Sequence, residues 1–164
     1  MPHQRTTSGD EDRLRIIRAV PDDAEAILLV QLLAYRSEAA LYQDDTIPPL
    51  TETAVEIRSA IRHHLVLKAE IDGQLIGAVR VRTEGSTGYV GRLIVHPAYQ
   101  NRGIGTALLL AAEHHTPAVT RYELFTGHRS VRNLHLYEKL GYRRTHTEPV
   151  HARLTLVYLV KERG

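Results

Sequence analysis

The chain predicts a mixed α/β fold, with about seven strands and four helices in the order βααββ and then βαβαββ around one strand–helix–strand crossover. Three observations carry this. Asp72-Gly73 lies between two strand-like runs, and Asp-Gly favours the tight turn of a two-residue hairpin. The strand Tyr89–Val95 leads through a short loop into a helix opened by Gly103 and Gly105, and the strand Arg121–Thr126 follows it. The last segments, Tyr142–Thr147 and Arg153–Lys161, read as a closing antiparallel pair.

The other elements follow in order. Arg13–Val20 alternates as a first strand. Pro21-Asp22-Asp23 starts a helix, with acids at the positive end of its dipole, that runs from Asp22 to about Tyr42. Its apolar face (Ile27, Leu28, Leu32, Tyr35) suits packing on a sheet. Pro48-Pro49 breaks the chain, and Thr51-Glu52-Thr53 opens a second helix ending near Ile61 or His63. Leu65–Ile71 and Leu75–Arg82 flank the hairpin turn. The glycine-led helix runs Gly103–His115, and Ser130–Leu140 forms a fourth helix capped by Gly141. No repeat or linker interrupts this, so residues 12–164 read as one domain behind a polar arm, residues 1–11, expected to be disordered.

Composition narrows the function. The chain of 164 residues is 43% hydrophobic and 24% charged, ordinary values for a globular protein. No apolar run reaches the roughly 18 residues that span a bilayer, and Met1–Arg15 is polar rather than signal-like. No membrane association and a cytoplasmic location are therefore expected. The absence of cysteine excludes a thiol nucleophile and Cys-ligated zinc. The net charge of +2 is spread along the chain, which disfavours a nucleic-acid partner. The ten histidines include the adjacent pairs His63-His64 and His114-His115 and no His-Glu-x-x-His, so no metal site is expected.

The strongest signal is Leu93–Thr106: an apolar strand, His96-Pro97, a loop, and two glycines at the start of a helix. Such a helix start offers unpaired backbone N–H groups and a positive dipole end, which suits a phosphate or pyrophosphate. A mononucleotide loop would need Lys-Ser/Thr after its last glycine, and none follows. A dinucleotide fingerprint would need glycine or alanine at Leu108 and a strand directly before the glycines, where His96–Arg102 intervenes.

Gln100-x-x-Gly103-x-Gly105 after a strand ending Val-His-Pro resembles the acetyl-CoA pyrophosphate loop of the GNAT superfamily of N-acetyltransferases. Asn133-Leu134-His135-Leu136-Tyr137-Glu138-Lys139-Leu140-Gly141-Tyr142 is similar to its N-x-x-x-Y-x-x-x-G-[FY] segment, and the element order agrees from Arg13 to Lys161. The resemblance implies a mostly antiparallel, twisted sheet splayed between its fourth and fifth strands. It implies acetyl-CoA as co-substrate, with Arg102, Gly103, Ile104, Gly105 and Thr106 on the pyrophosphate. Leu93 and Val95 would offer backbone, and Asn133 its side chain, to the pantetheine arm. Gly91 is the expected β-bulge residue.

The implied reaction is direct attack of a primary amine, on a small molecule or peptide, within a ternary complex. Tyr137 would be the proton donor to the departing thiolate, since a phenol is protonated at neutral pH. Spacing alone also allows Asn133 and Tyr137 to be the polar edge of an amphipathic helix. The fourth strand lacks the glutamate that many relatives use as base, which leaves Glu84, Glu123, His128 or a water chain. Glu38, Asp44 and Asp45, with Tyr35 and Tyr42, are candidates for an acidic acceptor mouth. The alternative function is a non-catalytic CoA-binding or sensing domain. An apolar terminal segment, Val150–Val160, reads as an exposed edge that would favour a homodimer.

Overall fold

Seven strands form one sheet: β1 (Leu14–Arg18), β2 (Leu65–Ile71), β3 (Gln74–Glu84), β4 (Thr87–Val95), β5 (Arg121–Gly127), β6 (Arg143–His151) and β7 (Leu154–Glu162). A computed structural model describes residues 13–163, and the arm expected at residues 1–11 lies outside the described residues. The spatial order is β1-β2-β3-β4-β5-β7-β6, with every neighbouring pair antiparallel except β4 and β5. At the β2–β3 turn Asp72 and Gly73 take φ values of 53° and 81°, the two positive angles that the dipeptide signals.

Among the described residues five α-helices cover the sheet: α1 (Ala24–Tyr42), α2 (Pro48–Thr51), α3 (Ala54–His63), α4 (Ile104–His114) and α5 (Val131–Lys139). The additional helix is α2. Pro48-Pro49 starts a single turn there instead of only breaking the chain, because proline's fixed φ and missing N–H suit a first turn. The second expected helix then begins at α3. Thr53 Oγ1 accepts the Glu56 N–H at 3.2 Å, and the Thr53 N–H donates to Glu56 Oε1 at 2.8 Å. No helix among the described residues is long and apolar enough to cross a membrane.

Each sheet face has its own core. Ile27, Val30 and Ile57 of α1 and α3 pack with Val66, Ala78 and Ile94. Ile104, Leu108 and Leu134 of α4 and α5 pack with Leu67, Val79, Tyr122 and Leu159. Val90 and Ile94, four residues apart on β4, nevertheless belong to opposite cores. An extra residue reverses the alternation: Ala78 faces Ile94 and Arg80 faces Gly91, so Val79 stands against both Arg92 and Leu93. The bulge conformation falls on Arg92, with φ 50°, and not on the expected Gly91, which keeps its register with Arg80.

β4 and β5 pair only where Thr87, Gly88 and Tyr89 meet Arg121, Tyr122 and Glu123. Beyond Tyr89 the strands part, which is the splay that the family resemblance implies. The edge expectation requires correction. β7 is interior, between β5 and β6, and β6 is the edge strand. Every β6 residue but His151 is exposed, and Arg143, Arg144, His146, Glu148 and Pro149 give it the charge and proline that discourage pairing. The stated ground for a homodimer is therefore absent.

Candidate active site

The gap between β4 and β5 brings together residues from both sheet faces. On one side stands the start of α4. Gly103 is its N-cap with φ 79°, a left-handed angle that favours glycine. The first intrahelical bond runs from the Ala107 N–H to the Gly103 carbonyl at 3.0 Å. The N–H groups of Ile104, Gly105 and Thr106 thus have no acceptor among the described residues. A Cβ on Gly105 would make only ordinary contacts, 3.5 Å to Leu136 Cδ2 and 4.0 Å to Val95 Cγ2, so the fold does not require glycine there. The Arg102 guanidinium lies 5.2 Å from the Tyr99 ring centroid.

The end of β4 borders the same gap. The His96 N–H donates to the Ile76 carbonyl at 2.8 Å, towards β3. Alternation then turns the backbone groups of Ile94 to β3 and those of Leu93 and Val95 to the gap. The Val95 carbonyl accepts from Gln100 Nε2 at 3.4 Å. From α5, Asn133 Nδ2 donates to Thr126 Oγ1 near the end of β5 at 3.3 Å. Tyr137 is 6% exposed, and its hydroxyl makes no hydrogen bond among the described residues. Burial pushes the Tyr137 phenol up from its ordinary value, with Tyr35 and Glu38 adding to the shift, so it is held protonated.

Tyr35 and Glu38 reach the gap from α1 on the opposite face. The Arg129 N–H donates to Tyr42 Oη at 2.9 Å, Tyr42 Oη is 2.8 Å from Ser130 Oγ, and Ser130 Oγ donates to Glu38 Oε1 at 2.6 Å. A carboxylate can only accept, so the three donors align in one direction and end on Glu38. The chain depends on Gly127, where a Cβ would lie 2.0 Å from Tyr42 Oη. The glycine that ends β5 therefore lets α1 close over the gap.

Next to this chain is a nearly buried charge cluster. Glu52, in the link between α2 and α3, has an 11% exposed side chain. Its Oε1 accepts from Gln31 Nε2 at 2.9 Å, Arg80 Nη2 at 3.2 Å and Arg92 Nε at 3.2 Å; its Oε2 accepts from Arg80 Nη1 at 3.0 Å. Burial would raise this carboxyl, but the bonds from Arg80 and Gln31 and the two guanidinium charges outweigh it and hold the pKa at about 2. Burial pushes the Tyr35 phenol up to about 12, with Arg92 opposing and Glu38 adding. Gln31, Tyr35 and Glu38 follow one another at helical spacing on α1, so all three share the face that meets Glu52.

The expected acidic mouth assembles only in part: Tyr35, Glu38 and Tyr42 border the gap, whereas Asp44 and Asp45 do not join them. Glu38 turns to Ser130, Asp44 accepts from Thr46 and sits 2.9 Å from His151 Nε2, and Asp45 is exposed. The Thr46 bonds, then His151, hold the Asp44 carboxyl down at about 2. Among the base candidates, Glu84 is exposed and paired with Arg82, Glu123 pairs with Arg121 at 3.2 Å, and His128 Nδ1 accepts the Thr155 N–H at 3.0 Å. Sequence reasoning passed over Gln31, Glu52, Arg80, Arg92 and Ser130. One signal was present: Gln31 is the sole polar residue within the apolar run Ala26–Tyr35, and it is fully buried.

Residues 31–142 match the family described as Acetyltransferase (GNAT) family. A curated relative, UPF0157 protein YqkA of Bacillus subtilis (strain 168), is 30% identical over 124 residues, 76% of this chain and 36% of that protein. The chain thus spans about a third of the length of that relative. Among solved structures, the PaiA N-acetyltransferase of Thermoplasma acidophilum in complex with coenzyme A superposes with a TM-score of 0.78 at 20% identity, covering 92% of this chain and 99% of that one. The ribosomal-protein-S18-alanine N-acetyltransferase of Escherichia coli gives a TM-score of 0.76 at 16% identity over 91% of this chain and 93% of its own. At these identities the two structures establish the shared fold.

Proposed function

The chain belongs to the acetyltransferase (GNAT) family, and from that premise we propose that it transfers the acetyl group of acetyl-CoA to a primary amine of a small molecule or peptide, in a ternary complex. The observation that carries this reading is the gap itself. A helix start with three N–H groups unpartnered among the described residues, the gap-facing backbone of Leu93 and Val95, and a buried phenol converge where β4 leaves β5.

The residues present fit the co-substrate. Gly105 is glycine without a packing reason, which suits a surface left bare for a ligand. Arg102, Gly103, Ile104, Gly105 and Thr106 would hold the pyrophosphate, by backbone donors and the Thr106 hydroxyl. Leu93, Val95 and Asn133 would hold the pantetheine arm. Bound there, acetyl-CoA supplies the acetyl thioester. Tyr137 Oη keeps the proton that the leaving sulfur needs, and α1 excludes water from the opposite side.

The test is thioester consumption with a panel of primary amines. Turnover is expected to depend on the amine, and Tyr137→Phe is expected to lower kcat roughly 100-fold with the acetyl-CoA Kd unchanged. Acetyl-CoA binding without amine-dependent turnover would make the chain a binding domain and overturn transfer. An unchanged kcat in a chemistry-limited assay would remove Tyr137 as the donor.

A further inference from the structure

We propose that the acceptor is a zwitterion, an amine that also carries a carboxylate, held with its anionic end on the Arg92 guanidinium and its ammonium against Glu38. This rests on the acetyl-transfer reading and adds to it the class of acceptor. Two guanidiniums, Arg80 and Arg92, meet the single carboxylate of Glu52, which leaves one positive charge over in a nearly buried cluster. The surplus is directional. Arg80 spends both Nη atoms on Glu52, whereas Arg92 binds it only through Nε, and the Arg92 Nη atoms have no acceptor among the described residues. Those atoms form the fork that pairs with a carboxylate in bidentate fashion.

The backbone places that fork at the gap. Arg92 adopts φ 50° in the β4 bulge, an uncommon angle for a side chain of its size, at the point where β4 leaves β5. Its side chain is 24% exposed, reachable but poorly solvated. The complementary head is on the other strand's side. Glu38 Oε1 accepts from Ser130, and Oε2 accepts no bond among the described residues. Tyr35, half-buried on α1, lies one helical turn after Gln31, which shares Glu52 with Arg92, and one turn before Glu38. A carboxylate on Arg92 and an ammonium at Glu38 would therefore flank the Tyr35 ring, on the α1 side of the gap and across from Tyr137.

This arrangement discriminates. A polyamine would bring a second cation towards the surplus guanidinium charge, and a simple alkylamine would leave the Arg92 fork unpaired. A zwitterion satisfies both heads. Its ammonium can pass one proton to the Glu38 carboxylate, giving the neutral amine and a neutral carboxyl, which returns the proton to solvent.

The experiment compares amino acids with the same amines lacking the carboxylate: phenylalanine with phenethylamine, β-alanine with ethylamine, and 4-aminobutyrate with propylamine. These span several separations of the two charges. Each is titrated against the full chain saturated with CoA, and each is assayed for kcat/KM with acetyl-CoA. In at least one pair the carboxylate is expected to tighten binding about 10-fold or more, as a charge-assisted bond should. Arg92→Asn, which tolerates the left-handed backbone, should abolish that advantage through KM, and Arg92→Lys should keep part of it. A carboxylate that confers no gain in any pair overturns the proposal, and the wild-type comparison decides this even if the variants fail to fold. Turnover without a carboxylate preference sinks the zwitterion and spares acetyl transfer. Preference in binding with no turnover does the reverse.

Discussion

The two sides of the β4–β5 gap are built differently. The α4 and α5 side draws on short stretches of sequence: the Arg102–Thr106 backbone, and Asn133 and Tyr137 one helical turn apart. The α1 side is made of side chains from distant segments. Gln31, Glu52, Arg80 and Arg92 meet in one cluster, and Glu38 meets Ser130 across 92 residues of sequence. On the first side the N–H groups of Ile104, Gly105 and Thr106 and the Tyr137 hydroxyl have no partner among the described residues, so substitution should change ligand binding more than stability. On the second the charged groups hold one another, so substitution should change stability as well.

The largest expected effect follows from breaking the buried cluster. Glu52→Gln leaves Arg80 and Arg92 facing each other without a counter-charge, and should cost about 3–5 kcal/mol in urea unfolding. Its acetyl-CoA affinity, measured in the folded fraction, should be preserved. A loss below about 1 kcal/mol, the range of exposed pairs, would mean the cluster is solvated and the two sides are alike.

Gly105→Asp tests the other side. An acid in the first turn of α4 complements the helix dipole, so the melting temperature should hold or rise. The same charge against a pyrophosphate should weaken acetyl-CoA about 100-fold or more by titration. A parallel loss of stability would blur the contrast, and undiminished affinity would break it.

Gly127→Ala should be intermediate. The new Cβ meets Tyr42 Oη at 2.0 Å, so either the chain to Glu38 breaks or the end of β5 moves. A cost of about 1–3 kcal/mol is expected for such overpacking, readable by urea denaturation. A neutral result would show that α1 is not fixed over the gap by this contact.

The smallest effect is acid sensitivity. Glu52 and Asp44 are each held at about 2, below their ordinary values of 4.5 and 3.8. A depressed carboxyl contributes stability that is complete above its unfolded pKa and is lost as pH falls through its folded one. The melting temperature should therefore stay level from pH 7 to about 5 and decline between about 4.5 and 2. The decline should be shallower in Glu52→Gln, and an identical profile would assign the acid transition to other groups.

The same contrast explains what could be read from the sequence. Asp72-Gly73, the strand ending at His96-Pro97, and the glycines opening α4 specify backbone geometry within a few residues, so their elements were legible. The splay was legible as well, by resemblance, while the bulge was expected one residue early, because glycine permits the strained angle but register decides who takes it. Arg92 takes it because Gly91 stays opposite Arg80. The edge was misassigned because β7 looks like an edge in sequence order but inserts between β5 and β6. Glu52 and Arg80 look like ordinary surface charges locally, and only the approach of α1 to β3 and β4 buries them. Likewise, Glu38 reads as one acid in a loose acidic stretch until Ser130 is brought to it.

The most direct measurement is isothermal titration of the purified protein with acetyl-CoA, CoA and ATP in parallel. Micromolar binding of acetyl-CoA and of CoA and none of ATP is expected, because the proposed cradle sits beside a strand gap that suits an extended arm better than a triphosphate with its metal. Failure of both CoA species to bind would contradict the assignment of the gap, and the roles given to Tyr137 and to the acceptor residues would fall with it.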